Sequence, residues 1–304
     1  MRVALAQLDA RLGDIDANAE RAREVIVEAT AAGADLVVFP ELYLSGYALR
    51  GVERETARTA EEVALLVGGS ALVGFHEARR GQTPDWSAKD EVKAETPRPY
   101  ADEGAKGTGP RSGPRGYNSA AYVADGELVH VHRKLYLVDY EPFGEDELFE
   151  PGSELRAFDS PLGRLGTLIC NDAWQPFLPF IATQDGARVL LVPSCSSTAV
   201  REAEAYWHEL TRFYARMLQC FVVFVNRIGT EGALTFWGGS HVTGPDGLPL
   251  VHGPRSREAI LYADLDLERV EKRRRELSIV GDPRLDLVLS ELGRLARKRG
   301  QRPT

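Results

Sequence analysis

Predicted strands and helices alternate along this chain of 304 residues, and the alternation predicts an α/β fold. Three observations support that prediction. The chain opens with an apolar strand at residues 3–7, an alanine-rich helical stripe that Gly33 ends, and a second strand at 36–39. The same strand–helix–strand order recurs at 164–192. No linker separates the two halves, so we expect one domain instead of two independent modules.

Local patterns predict the other elements in turn. Asp16 is expected to cap the first helix, because a carboxylate there can accept a hydrogen bond from a free backbone N–H. Strands at 119–123 and 128–131 flank Asp125-Gly126, a dipeptide typical of a tight hairpin turn. A long helix is predicted from about 200 to 219. Its apolar side would comprise Ala203, Trp207, Leu210, Tyr214 and Met217.

The segment 77–116 interrupts this regularity. It is rich in glycine, proline and charge, and it contains Trp86 and Tyr100. Its length exceeds that of ordinary connections, so it is either a disordered excursion or a functional lid. The predicted organisation is therefore a single domain over residues 1–304 with a long insertion at 77–116.

Composition excludes several classes of function. An apolar content of 43% is ample for a core, and a formal charge of −8 argues against nucleic-acid binding, which needs a basic face. No apolar stretch approaches the roughly 18 residues of a membrane span, and the first residues resemble a strand more than a signal peptide. We therefore expect no membrane association and a cytoplasmic location. Cys170, Cys195 and Cys220 are widely spaced without a CxxC pair, which predicts reduced thiols without a disulfide framework or zinc site.

Cys170 is the first candidate for chemistry. It ends the apolar run 166–170 and precedes a polar segment, so the thiol lies where a buried strand ends. A cysteine attacks carbon as the thiolate, so it needs a proton acceptor and a nearby positive charge. Glu41 and Lys134 have suitable side chains, and each also follows a predicted strand. Sequence spacing alone does not bring the three together.

Each candidate also has a structural interpretation. Glu41 could be a helix-start carboxylate, and Lys134 a solvated charge at a strand end. Cys195 follows another apolar strand and is the rival thiol, whereas Cys220 is expected in the core. The six histidines show no HExxH or comparable spacing, and no nucleotide-binding motif occurs in a suitable context. The histidines are therefore expected to be structural or surface groups, and no metal or cofactor is predicted.

The sequence around the three candidate residues resembles the nitrilase, or carbon–nitrogen hydrolase, superfamily. The matching strings are Phe39-Pro40-Glu41, Arg133-Lys134-Leu135-Tyr136-Leu137 and Cys170-Asn171-Asp172. Further blocks follow in the same order: Asn118-Ser119-Ala120, Pro151-Gly152, Asn226-Arg227-Ile228-Gly229, Gly238-Gly239-Ser240 and Pro245-Asp246-Gly247. The resemblance implies a four-layer αββα sandwich that pairs into a homodimer or a higher homo-oligomer, with the helix at 200–219 as a candidate contact.

The resemblance also implies a role for each candidate. Glu41 would be the general base, Cys170 the nucleophile and Lys134 the cation that stabilises the tetrahedral oxyanion. The backbone N–H of Asn171 would be the second oxyanion donor.

Two further positions follow from the same resemblance. A second glutamate is expected downstream of the lysine at Glu145, with Glu141 as the alternative. Cys195 occupies a position where the family has a small residue in the pocket wall, so we expect it to line the pocket.

The implied reaction is attack of Cys170 on a small-molecule amide, release of ammonia, and hydrolysis of the thioester to a carboxylic acid. Asn171-Asp172 replaces the Trp-Glu that usually follows the cysteine of true nitrilases, so nitrile conversion is less favoured. Asp172-Ala173-Trp174 resembles the glutamine-hydrolysing domain of NAD synthetases. A free-standing amidase is the first hypothesis, and the alternatives are a glutamine-hydrolysing ammonia donor, an N-carbamoyl hydrolase, a nitrilase and an N-acyltransferase. An inactive scaffolding relative would be expected to have lost one of the three residues.

Overall fold

The structure is a computed structural model that describes residues 1–79 and 115–299. Most of the predicted insertion at 77–116, including Trp86 and Tyr100, lies outside the described residues. The strands are β1 Arg2–Gln7, β2 Leu36–Val38, β3 Ala71–Glu77, β4 Tyr117–Ala124, β5 Glu127–Arg133, β6 Phe158–Ser160, β7 Gly163–Thr167, β8 Val189–Ser194, β9 Phe221–Asn226, β10 Ile228–Glu231, β11 Leu234–Trp237, β12 His241–Thr243, β13 Pro249–His252 and β14 Ala259–Asp264. The helices are α1 Ile15–Ala31, α2 Glu53–Thr56, α3 Ala60–Val67, α4 Glu145–Leu148, α5 Phe177–Gln184, α6 Ala203–Met217, α7 Glu268–Glu276 and α8 Leu285–Lys298, with a 3-10 helix at Cys170–Trp174.

Two six-stranded sheets form the centre of the fold. The first has the spatial order β14-β1-β2-β3-β4-β5, and the second has the order β13-β12-β9-β8-β7-β6. Parallel pairing joins β1, β2 and β3 in one sheet and β7, β8 and β9 in the other, while the outer strands pair antiparallel. Strands β10 and β11 form a separate ribbon.

The buried side chains define four layers. Leu5 and Val38 of the first sheet pack against Leu191 and Val223 of the second, so these apolar faces lie between the sheets. Helices α1 and α3 cover the outside of the first sheet. Helices α5 and α6 cover the outside of the second, where Trp207 is buried. Full burial of such side chains contributes about 1.5–3 kcal/mol each, so the double-sheet core is a major source of stability. The predicted four-layer α/β sandwich is confirmed.

Several local predictions are confirmed and others need correction. The hairpin at Asp125-Gly126 joins β4 and β5, and both residues have positive φ, 49° and 86°, as a tight hairpin turn requires. The cap of α1 is Asp14, whose side chain accepts from the N–H of Ala17, so the prediction of Asp16 was wrong. The helix begins one residue before Asp16, which therefore lies in its first turn.

The long helix α6 also differs in detail from its prediction. It is shorter, at Ala203–Met217. Met217 is 38% exposed, so it does not belong to the buried face, which includes Thr211 instead. In the described ranges, no helix combines the length and apolar character needed to cross a membrane.

Candidate active site

Glu41 lies just beyond β2, in a segment that crosses very close to β3. A Cβ atom on Gly74 would lie 2.3 Å from the backbone nitrogen of Leu42 and 2.5 Å from the carbonyl oxygen of Pro40. Only a glycine leaves room for that approach. The missing side chain at Gly74 thereby allows the Glu41 segment to fold over the sheet, where Glu41 is 1% exposed.

The Glu41 carboxylate accepts hydrogen bonds on both oxygens. Its Oε1 accepts from Lys134 Nζ at 2.6 Å and from Asn118 Nδ2 at 2.8 Å. Its Oε2 accepts from the backbone N–H of Cys195 at 2.8 Å. All three partners are donors, so they orient an ionised carboxylate, the form that can accept a proton.

Lys134 follows β5 and is buried between two carboxylates. Its Nζ lies 2.6 Å from Oε1 of Glu41 and 2.6 Å from Oε1 of Glu145. Burial alone would lower the pKa of this amine, but the charges of Glu145 and Glu41 hold the pKa well above its usual value. Lys134 is therefore a permanent buried cation. The sequence offered Glu145 and Glu141 as candidates for the second glutamate. Glu145 is the one that contacts Lys134.

Glu145 is itself held by three donors. Its Oε1 also accepts from the hydroxyl of Tyr47, and its Oε2 accepts from the N–H of Val138 at 3.0 Å. Burial raises the pKa of Glu145, while the hydrogen bonds and charge of Lys134 oppose that shift. Tyr47 is fixed in turn, because its backbone N–H donates to Glu231 Oε2 at 2.9 Å.

Cys170 lies at a sharp change of direction after the strand run that ends at Ile169. It begins the 3-10 helix and has φ of 45°, a left-handed conformation that is uncommon for a residue with a side chain. Burial raises the pKa of the Cys170 thiol, the charge of Glu41 adds to the rise, and Lys134 opposes it. The structure therefore places a neutral thiol within the electrostatic reach of the predicted base and cation.

Asn171 comes next and lies in the first turn of the 3-10 helix. Backbone N–H groups in a first helical turn lack partners within the helix, so such a group can donate to a bound anion. The Asn171 side chain donates instead to the carbonyl of Tyr136 at 3.1 Å.

Cys195 contributes its backbone to the site and keeps its thiol buried. The residue is 2% exposed, and its Sγ lies 3.1 Å from the carbonyl oxygen of Glu41. Burial raises the pKa of this thiol well above the usual value. Cys170 is only partly buried, so the two cysteines differ in access to a substrate.

Asp172 connects the segment after Lys134 with the strand run before Cys170. The side chain is fully buried, and its Oδ1 accepts from the N–H groups of Leu135 and Tyr136, both at 2.9 Å. Its Oδ2 accepts from the N–H of Ile169 at 3.1 Å.

His132 completes the environment of Asp172. Its Nε2 lies 2.9 Å from Oδ2 of Asp172, and the histidine is itself 2% exposed. The prediction that the histidines are structural or surface groups fits His132, which is an interior hydrogen-bonding partner.

The structure brings Glu41, Lys134 and Glu145 into direct contact. It places the Cys170 thiol within their electrostatic reach, and Asn171 follows it in the sequence. Sequence reasoning assigned no role to Asn118, Tyr47 or Asp172. Asn118 and Asp172 lie within the quoted family motifs, so the sequence held a signal that could have pointed to them. No such signal marks Tyr47, which contacts Glu145 across 98 positions of sequence.

Comparisons with known proteins agree with this architecture. The carbon-nitrogen hydrolase family matches residues 2–275. Glutamine-dependent NAD(+) synthetase of Thermotoga maritima is 30% identical over 99% of this chain and 48% of its own length. Omega-amidase NIT2 of Danio rerio is 28% identical over 94% of this chain and 95% of its own length. The crystal structure of a carbon-nitrogen hydrolase from Helicobacter pylori G27 has a TM-score of 0.74 at 23% identity, covering 96% of this chain and 98% of that one.

The two facing sheets with helices on their outer sides have the same architecture as that crystal structure. The chain belongs to the carbon-nitrogen hydrolase family. The predicted family is thereby confirmed. The chain spans about half the length of the NAD synthetases that it matches, at 48%, 47% and 46% of their sequences.

Proposed function

We propose that the protein hydrolyses the carboxamide of a small molecule through a thioester on Cys170, without a cofactor. The observation that carries this proposal is the buried Glu41–Lys134–Glu145 group, which surrounds one ammonium with two carboxylates within electrostatic reach of the Cys170 thiol. The similarity to omega-amidase NIT2, along nearly the full length of both proteins, supports an amide as substrate.

In the first half of the proposed reaction, Glu41 takes the thiol proton as the sulfur forms a bond to the amide carbon. The electron pair of the C=O bond moves to oxygen, and Lys134 Nζ and the N–H of Asn171 stabilise the negative charge that develops. One such donor contributes roughly 3–4 kcal/mol to transition-state stabilisation. Glu41 then returns the proton to the departing nitrogen, the C–N bond breaks, and ammonia leaves the thioester.

In the second half, water replaces ammonia. Glu41 removes a proton from the water, and the resulting oxygen attacks the thioester carbon. The same donors stabilise the second oxyanion. The C–S bond then breaks, Cys170 recovers its proton from Glu41, and the carboxylic acid is released. In this cycle Glu41 alternates between its ionised and protonated forms. Its three hydrogen-bond donors must therefore fix its position and still allow it to accept a proton.

A second candidate is hydrolysis of the glutamine side-chain amide to supply ammonia to an acceptor reaction. The alignment with the glutamine-dependent NAD(+) synthetase of Thermotoga maritima favours it, because 99% of this chain matches that protein at 30% identity. The proposed chemistry at Cys170 is the same. The two candidates differ only in the acyl group and in the fate of ammonia.

The test is ammonia release from a panel of small amides, glutamine, asparagine, ureido acids and nitriles, measured with wild-type protein, Cys170→Ala and Cys195→Ala. We expect release from an amide that Cys170→Ala abolishes and Cys195→Ala retains at least in part. Activity that survives in Cys170→Ala would refute the mechanism. Activity lost only in Cys195→Ala would move the nucleophile to that residue. Transfer of the acyl group to an added amine, without free acid, would favour an acyltransferase.

We also propose that the protein forms a homodimer through the outer face of α5 and α6. Phe177, Ile181, Tyr206 and Phe213 are between 45% and 56% exposed on these helices, a concentration of apolar side chains that a partner would bury. Light scattering after size exclusion would give the mass of two chains, and Phe213→Glu should reduce it toward one. A wild-type monomer would contradict the proposal.

The proposed location is the cytoplasm, which suits three free cysteines and can be tested by cell fractionation.

A further inference from the structure

Three histidines from different elements converge on the outside of the second sheet. His208 lies on α6, His241 on β12 and His252 on β13, and one ligand nitrogen from each lies within 4.8 Å of the other two. The sequence predicted no metal site, because the spacings of 33 and 11 residues between them match no known motif. Only the packing of α6 against the hairpin of β12 and β13 brings them together.

The closest pair has the separation that a tetrahedral ion requires. The Nε2 atoms of His208 and His252 lie 3.3 Å apart. Two nitrogens that each lie about 2.0–2.1 Å from the same tetrahedral zinc ion are about 3.4 Å from one another. Both atoms are in-plane ring nitrogens, the atoms through which histidine binds a metal ion.

One ring nitrogen of His241 is held by a backbone carbonyl, which leaves the other to act as a metal ligand. Its Nδ1 lies 2.9 Å from the carbonyl oxygen of Gly239, which can only accept, so Nδ1 carries the hydrogen and Nε2 carries the lone pair.

The present partner of that lone pair is the hydroxyl of Thr211, 2.9 Å away. The same hydroxyl lies 2.8 Å from the carbonyl of Trp207, and its single hydrogen cannot serve both acceptors. The lone pair of His241 Nε2 therefore competes with the carbonyl of Trp207 for the hydrogen of that hydroxyl.

The three rings are within about 30° of parallel, so they do not yet point at one common ion. His252 is exposed and lies on a hairpin strand, so its ring can turn at little cost. His241 is buried and fixed, and it sets the position that the other two must approach.

We propose that His208, His241 and His252 form a binding site for a zinc ion, with solvent in the fourth position. Zinc suits imidazole ligands and is commonly bound by three protein side chains with solvent as the fourth tetrahedral ligand. The ion would tie the outer helix α6 to the β12–β13 hairpin. This site is separate from the proposed chemistry at Cys170, and its occupancy is independent of the amidase proposal.

The test is zinc binding by equilibrium dialysis, and cobalt substitution read by its d–d absorption, on protein without a histidine tag. All measurements are made in a Cys170→Ala background, so that the reactive thiol cannot account for bound metal. His252→Ala and His208→Ala remove one proposed ligand each, and His130→Gln is the matched control because His130 lies outside the cluster. Thermal denaturation without metal verifies that each variant is folded.

We expect one equivalent of zinc in the Cys170→Ala protein, at least tenfold weaker binding in His252→Ala and His208→Ala, and unchanged binding in His130→Gln. Zinc should also raise the melting temperature of the parent protein and have little effect on that of His252→Ala. Absence of binding in the parent protein would overturn the proposal. Equal affinity in the parent and both ligand variants would also overturn it, since the ion would then lie elsewhere.

Discussion

Replacing Asp172 by asparagine would separate the two halves of the candidate site while preserving side-chain size. The carboxylate accepts hydrogen bonds from the N–H of Leu135, next to Lys134, and from the N–H of Ile169, next to Cys170. It thereby fixes the position of Lys134, which is proposed to stabilise the oxyanion, relative to the proposed nucleophile Cys170. Asparagine keeps one acceptor oxygen and places an NH2 group on the other side.

The magnitude follows from counting donors. If the amide oxygen stays with the N–H groups of Leu135 and Tyr136, the new NH2 group faces the N–H of Ile169 and the ring nitrogen of His132. Two buried groups then lose their acceptor at about 1–3 kcal/mol each, which gives a destabilisation of about 2–6 kcal/mol. The opposite amide orientation abandons the other two N–H groups at a similar cost.

The assays are urea unfolding for stability and ammonia release at saturating substrate for kcat. We expect the lower stability calculated above and a fall in kcat of about 100-fold, because a shift of about 1 Å between reacting groups has that effect. Asp159→Asn is the matched control, since this carboxylate is 84% exposed in its ion pair with Arg164 and should change stability by less than about 0.5 kcal/mol. If Asp172→Asn behaved like the control in both assays, the reasoning would be refuted.

Three other variants test separate parts of the structure. Gly74→Ala should lower stability by about 1–3 kcal/mol and reduce kcat, because its Cβ would approach the neighbouring backbone to 2.3 Å. Gly293→Ala, at a partly exposed position within helix α8, should be neutral or stabilising, and equal behaviour of the two variants would contradict this. Glu145→Gln should reduce kcat about 100-fold, because it removes the negative charge that is paired with Lys134. Glu141→Gln should leave kcat unchanged, and both are measured by ammonia release. His76 has a pKa lowered to about 4 by burial, so between pH 6.5 and 4 the unfolded state binds the extra proton and stability falls with acidification. His76→Gln should remove about 1.4 kcal/mol per pH unit from that slope in urea unfolding, and an unchanged slope would disprove the assignment.

The candidate residues were predictable because each follows a strand whose apolar pattern is local. Glu41, Lys134 and Cys170 all occupy such positions, and the family motifs supplied their order. Their fixation was not predictable. The N–H of Cys195 binds Glu41 across 154 positions of sequence, and backbone donors leave no trace in residue identity.

Other differences arise where packing chooses between equivalent local options. Asp14 and Asp16 are both suitable capping residues, and the first actual helical residue decided between them. The pairing of β1 with β14 has no local signal either, because neither strand encodes its neighbour. The same holds for the histidine cluster, whose members share no motif.

The pairing of β1 with β14 also has a consequence for biosynthesis. Residues 2–7 leave the ribosome long before their antiparallel neighbour, residues 259–264. Until then, β1 can pair with β2 on one side, while its other edge stays open to any unfolded strand nearby. Nascent chains that stall before residue 259 should therefore depend on chaperones, and a protease should cleave them far more readily than the finished protein.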